Sequence, residues 1–284
     1  MQQFFLALSL LTVLAGCATA TTVTTVTPRD LANLSKPSTH RFLFASANGK
    51  AEGFVIRPKG KGPFPLMVLL HGHSLVGIGA RRLLPAADTF ASEVCYASLA
   101  ISLPGYGDTQ VPAGPTVEAT RQVVNDAVAL AKTLPWVDPE RVYFYGFSRG
   151  AAVAAAMINQ TPGVKGVLLH SGAYDLPRLY RDASSPWLRK LLNPDGDAAP
   201  QLQNLLNETD RWPGATLILH GAQDLLVPAT QANLLDERLQ ALGKPHRLVL
   251  YPDYGHWLPL REIRSEALRF LIENGGSACA TNDS

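Results

Sequence analysis

"RVYFYGFSRGAAVAAA", residues 141–156, decides the fold. An apolar run rich in strand-forming residues stops at Gly146-Phe147-Ser148-Arg149-Gly150, and an alanine-rich run follows, so the stretch reads as strand, sharp turn, helix. A hydroxyl presented at such a turn must stand above the sheet while the backbone folds back at once. That leaves no room for side chains two residues to either side. Gly146 and Gly150 meet this need, and the alanines let the helix approach the strand closely. The helix N-terminus turns its free N–H groups towards Ser148. Ser148 is therefore a candidate nucleophile, provided that a base, an acid and oxyanion donors occur where the geometry demands them.

Outward from this turn the chain alternates strand-like and helix-like segments from about Arg41, the pattern of a mostly parallel central sheet covered by helices. "HRFLFASANGKAEGFVIRP" (40–58) reads as a hairpin turning at Asn48-Gly49, and "FPLMVLL" (64–70) as a strand buried on both faces. A helix is expected near 82–94, a strand within "YASLAISLP", and a helix over 116–133 starting at Thr116. After the opening stretch come strands at "KGVLLHSG" and "ATLILHG", a helix at "TQANLLDERLQAL", a strand at "HRLVLYP" and a helix at "LREIRSEALRFLIENG". No repeat or linker divides residues 39–276, which read as one domain. Residues 176–213 interrupt the rhythm; Ser185-Pro186 starts a helix whose Leu188, Leu191 and Leu192 share a face, so this insertion reads as a small helical cap. Trp187 and Arg181 are its candidate site-lining residues.

A serine needs a base to take its proton and a carboxylate to orient that base. "LILHGAQDLLVP" puts Asp224 just beyond one buried strand and "LVLYPDYGHWLP" puts His256 just beyond the next, at the same sheet edge as Ser148. Asp175, after "HSGAY", is the alternative acid, whereas Asp253 lies too close in sequence to reach round His256. "VLLHGHS" (68–74) ends a strand in a turn that can aim the His73 N–H, or alternatively that of Ser74, at the site beside the N–H of Arg149. The Arg149 side chain adds a cation there, expected to be held in a structural salt bridge.

Taken together, "LLHGHS", "YGFSRGA", "LHGAQDLLVP" and "YGHWLP" make residues 40–274 resemble an α/β-hydrolase of the dienelactone hydrolase and prolyl oligopeptidase branch, with the order Ser148, Asp224, His256. The resemblance implies that fold and a serine hydrolase acting on a small-molecule ester through an acyl-enzyme. A prolyl oligopeptidase-like peptidase and a non-catalytic ligand-binding protein are the alternatives. Dienelactone hydrolases carry a cysteine where this chain has Ser148, and prolyl oligopeptidases carry a large propeller for which this chain has no room.

Competing chemistries find little support. Net charge is +2 without a Lys/Arg cluster, which argues against a nucleic-acid partner. His71 and His73 lack a third ligand at metal spacing, so no metal is expected; "GIG" at 77–79 lacks the third glycine of a dinucleotide fingerprint, so neither is a cofactor. His170 and His220 read as satisfied strand-end histidines.

At the N-terminus, Phe4–Ala15 has the length of a signal peptide and is too short to span a bilayer. Leu14-Ala15-Gly16-Cys17 resembles the bacterial lipobox, which implies cleavage after residue 16 and acylation of Cys17. By that resemblance Ala18 favours the outer membrane, facing the periplasm. Residues 17–38, opening with "ATATTVTTVTP" after the cysteine, read as a lipidated tether, and 277–284 as a tail. Cys95 and Cys279 could form a disulfide in an oxidising compartment, or Cys95 could be an inert buried thiol.

Overall fold

A single sheet runs through a computed structural model that describes residues 23–46, 49–111, 117–193, 196, 202–276 and 279. In chain order its elements are β1 (Val23–Thr25), β2 (Thr39–Ser46), β3 (Gly49–Ile56), β4 (Phe64–Leu70), α1 (Leu84–Glu93), β5 (Ala97–Ile101) and α2 (Val117–Lys132). There follow β6 (Val137–Phe147), α3 (Arg149–Met157), β7 (Val164–His170), α4 (Leu176–Asp182), α5 (Pro186–Leu192), β8 (Ala215–Gly221), α6 (Thr230–Ala241), β9 (His246–Tyr251) and α7 (Leu260–Gly275). Strand order is β1-β2-β3-β5-β4-β6-β7-β8-β9, and only β3 runs antiparallel to its neighbours.

The apolar run of β4 is explained by its position: Leu66 to Leu70 show 0% exposure because helices cover both faces. Alternate residues divide between two layers. Val68, Leu70, Phe144 and Leu169 face the side of α2, α3 and α6, while Met67, Leu69, Tyr145 and Leu168 face α1 and α7. Each fully buried leucine contributes about 2 kcal/mol of hydrophobic stabilisation.

Three expectations are corrected here, and for Cys95 one of the two open alternatives is met. The tether does not extend to residue 38: Val23–Thr25 pair in parallel with Thr39–Arg41, and Leu31 is 1% exposed, its carbonyl accepting a hydrogen bond from Trp136 Nε1. Threonine and valine are good edge-strand residues once a partner strand is at hand. The cap is smaller than residues 176–213. α4 and α5 bury Leu179 and Leu188 against Ala173 and Val227, but Leu205 and Trp212 return to the main core because their apolar side chains find cover there. Cys95 is bonded to Cys279, 184 residues away, so the tail is tied back to the start of β5. The strand carrying Ser148 begins at Val137, earlier than Arg141. Cys17, the signal segment, Asn48 and Thr116 lie outside the described residues. Among the described residues, no helix is long and apolar enough to cross a membrane.

Candidate active site

Ser148 joins β6 to α3 at φ 54° and ψ −118°, a left-handed backbone that an L-residue adopts only under constraint. The constraint is visible at the two glycines. A Cβ at Gly146 would stand 2.4 Å from the Gly150 carbonyl oxygen, and one at Gly150 would stand 2.0 Å from that of Leu70. The backbone of the turn is thus pressed against both its own helix and β4. The Ser148 N–H is held by the His170 carbonyl at 2.8 Å, which fixes the turn to β7 as well.

His256 follows β9 and Asp224 follows β8, and both reach Ser148. His256 Nε2 lies 2.9 Å from Ser148 Oγ, and its Nδ1 donates to Asp224 Oδ2 at 2.7 Å. Asp224 is 4% exposed, yet its other oxygen accepts the backbone N–H groups of Leu226 and Val227, each at 2.9 Å. Burial pushes its pKa up, but hydrogen bonds from His220, His256 and Val227 outweigh that and hold the carboxylate well below its ordinary range. An anion fixed by four donors can keep an imidazole in one orientation and stabilise it when protonated.

The remaining residues singled out from sequence have definite positions. Asp175 caps α4, accepting the Arg178 N–H at 3.0 Å, and its backbone N–H is held by Gln231, so its carboxylate is engaged away from His256. Asp253 is exposed. Among the described residues, the N–H groups of His73 and Arg149 make no hydrogen bond, as donors for an oxyanion require. The Ser74 hydroxyl is engaged by the Ile78 N–H. His71 is buried; its Nδ1–H donates to Gly72 O at 2.7 Å and its Nε2 accepts from Leu103 N at 3.0 Å, so it staples the turn after β4 to the loop after β5. Desolvation lowers its pKa to about 4, which keeps it neutral. His73 Nδ1 is 2.5 Å from the Tyr106 hydroxyl. Among the described residues, no group of three or more His, Cys, Asp or Glu side chains is arranged to hold a metal ion.

Four side chains depart from expectation. The Arg149 guanidinium forms no ion pair among the described residues; it lies over the Tyr106 ring, 5.5 Å from the centroid, since no carboxylate stands within reach. Arg181 points outward, paired with Asp182, whereas Trp187 does approach the site, its ring 5.5 Å from that of His73. His220 and His170 are only half satisfied. His220 Nε2 donates to the Val227 carbonyl and reaches Asp224, and His170 Nδ1 meets the Tyr145 hydroxyl, but the second nitrogen of each has no partner among the described residues. Phe147 and Trp257 were not read from sequence as site residues. They neighbour Ser148 and His256 in the chain, and their rings meet at 4.9 Å.

The sequence model of the prolyl oligopeptidase family matches residues 117–273, and that of the esterase FrsA-like family matches residues 19–169. An uncharacterized peptidase, YtmA, of Bacillus subtilis (strain 168) is 24% identical over 51% of this chain and 58% of its own length. The chain spans about half the length of the first curated relatives it matches, or somewhat more. Among solved structures, a Pyrococcus horikoshii acylaminoacyl peptidase superposes with a TM-score of 0.69 at 17% identity, over 86% of this chain and 43% of that one. A Pyrococcus furiosus esterase gives 0.65 at 18% identity, over 87% of this chain and 93% of its own. At such identities the two structures speak for the fold.

Proposed function

We propose, for a chain that belongs to the α/β-hydrolases of the prolyl oligopeptidase and FrsA-like esterase families, that it is a serine hydrolase cleaving carboxylic esters of small molecules. The observation that carries this reading is the run of hydrogen bonds from Asp224 through His256 to a serine on a strained turn. Ser148 Oγ adds to the acyl carbon while its proton passes to His256 Nε2. The N–H groups of His73 and Arg149 stabilise the oxyanion. His256 then protonates the leaving alkoxide, the ester C–O bond breaks, and an acyl-enzyme remains. Water, deprotonated by the same imidazole, releases the acid and returns the proton to Ser148.

An ester fits the site better than a peptide. An amide has a poor leaving group and asks for extended binding surface, whereas the elaboration among the described residues is two short helices, α4 and α5. The test is a matched pair: butyryl ester and butyryl amide of one alcohol–amine pair, with fluorophosphonate labelling of Ser148. A higher kcat/KM on the ester is expected. The second reading, a peptidase, is favoured by the prolyl oligopeptidase match over residues 117–273, and a higher kcat/KM on the amide would establish it. A fluorophosphonate that leaves Ser148 unlabelled would sink both and favour a ligand-binding protein. We also propose that Cys17 carries a lipid anchor holding the enzyme at the outer membrane on the periplasmic side, supported by "LAGC" at 14–17. Cys17→Ser should release the protein from the membrane fraction or leave the precursor unprocessed.

A further inference from the structure

The Tyr106 hydroxyl touches the side chains of both residues whose N–H groups are assigned to the oxyanion. It lies 2.5 Å from His73 Nδ1 and accepts an N–H of the Arg149 guanidinium at 3.4 Å. With a lone pair engaged by that cation, the hydroxyl hydrogen is left to donate to Nδ1, so the neutral His73 imidazole carries its proton on Nε2. Desolvation and the Arg149 charge both lower the His73 pKa, which preserves Nδ1 as an acceptor. Tyr106 is itself 7% exposed and sits on a turn with little freedom. Gly105 and Gly107 flank it at φ 84° and 56°, and a Cβ on Gly107 would collide with Glu52 Oε2. The Gly107 N–H donates to the Gly77 carbonyl at 2.8 Å, and Glu52 Oε2 accepts the Ser102 hydroxyl at 2.7 Å. The loop after β5 is thus fastened both to the loop after β4 and to β3. The turn at Gly72 in its turn presses on the nucleophile, since a Cβ there would stand 3.1 Å from Ser148 Cβ. The His73 N–H comes one peptide later, in a segment with no regular structure to set its direction.

Resting on the serine-hydrolase reading above, we infer that Tyr106 is the positioning residue of the oxyanion site: its hydroxyl fixes the His73 side chain, and through it the backbone N–H that meets the oxyanion. His71, bonded to the Leu103 N–H, fixes the start of the same turn, whereas Tyr106 fixes the residue that bears the donor. A donor stabilises developing charge without reorganisation only when it is already in place. Loss of the Tyr106 hydroxyl therefore acts on the transition state and leaves ground-state binding nearly as it was.

The decisive variant is Tyr106→Phe, which keeps the ring under Arg149 and removes the hydroxyl alone. On a butyryl ester its kcat should fall about thirtyfold, less than the roughly 10²–10³ of a deleted oxyanion donor, with KM within about twofold. A trifluoromethyl ketone with the same acyl chain becomes an alkoxide when Ser148 Oγ adds to its carbonyl carbon and the serine proton passes to His256. Its Ki should rise by the factor that kcat/KM falls, a link that a merely structural loss would not produce. His73→Leu removes the acceptor from the other side, and the double variant should fall within about twofold of the more damaging single one, because both cut the same contact. Thermal denaturation reports whether each variant is folded; should Tyr106→Phe fail to fold, His73→Leu decides by the same kcat, KM and Ki. A kcat within about twofold of wild type, a Ki that stays constant while kcat falls, or losses that multiply in the double variant overturns the assignment. Wild-type turnover and fluorophosphonate labelling of Ser148 would then leave the hydrolase reading standing. Absence of wild-type turnover, with Ser148 unlabelled, overturns both.

Discussion

Two serines follow adjacent strands with nearly the same positive φ, Ser148 after β6 at 54° and Ser171 after β7 at 50°. Their surroundings are opposite. Ser148 is partly open and its Oγ meets His256, whereas Ser171 is fully buried and its Oγ has no partner among the described residues. Backbone strain alone therefore does not make a nucleophile. What separates the two is access and a base, and the base comes from a loop two strands away in the sheet from β7.

The largest effect should come from exchanging the hydroxyls. Ser148→Ala should lower kcat on an ester on the order of 10⁴-fold or more, and Ser148→Ala with His256→Ala should be little worse, because the two act as a unit. Ser171→Ala should change kcat/KM by less than about threefold, because its buried hydroxyl has no partner among the described residues to lose. If the buried serine proved the more damaging to lose while both variants kept wild-type melting temperatures, the contrast would be reversed.

Next comes the acid. Asp224→Asn should cost about 10⁴-fold in kcat through the wrong imidazole tautomer. Asp175→Asn, at the β7 end, should leave kcat within about threefold, since its carboxylate serves as an N-cap and asparagine caps as well. Steady-state kinetics on one ester reads both.

A smaller effect concerns pH. His170 closes β7 and is held neutral by desolvation, its pKa lowered to about 3. The unfolded chain titrates near the ordinary histidine value of 6.5, so between these limits the unfolded state binds more protons and stability falls as pH falls. Its share of the slope reaches at most about 1.4 kcal/mol per pH unit. His170→Leu should flatten the denaturation free energy measured between pH 6 and 4; an unchanged slope would mean that His170 is charged in the fold. The smallest effect is Ser171→Gly, which removes the left-handed strain and should raise stability by about 1 kcal/mol, a Tm gain of a few degrees.

How much of this was legible in sequence depended on how local the cause is. β4, β8 and α7 follow the expected bounds because burial on both faces, or one apolar stripe, is written within each segment. Ser148, Asp224 and His256 were legible because each ends or follows a strand that the pattern marks, so a shared sheet edge could be inferred. β1 was not, since "VTT" acquires its meaning only from β2, a partner beyond local reach. Arg149 was expected in a salt bridge, but which group stacks under it depends on Tyr106 in a loop from another strand. A cavity of about 150 Å³ behind Phe147 was hidden for the same reason: its walls come from β6, β7, α1, α7 and the loops after β4 and β9. A single nitrogen without a partner emerges only when all of these are packed.

The bond between Cys95 and Cys279 closes a covalent ring that contains Ser148, Asp224 and His256 and leaves His73 outside it. A single protease cut anywhere inside that ring would produce two fragments still joined through sulfur. They would migrate apart on a reducing gel and together on a non-reducing one. The ring also bears on nicked molecules that lose their fold, because the fragments cannot diffuse away from each other and reassembly stays a first-order event, independent of dilution.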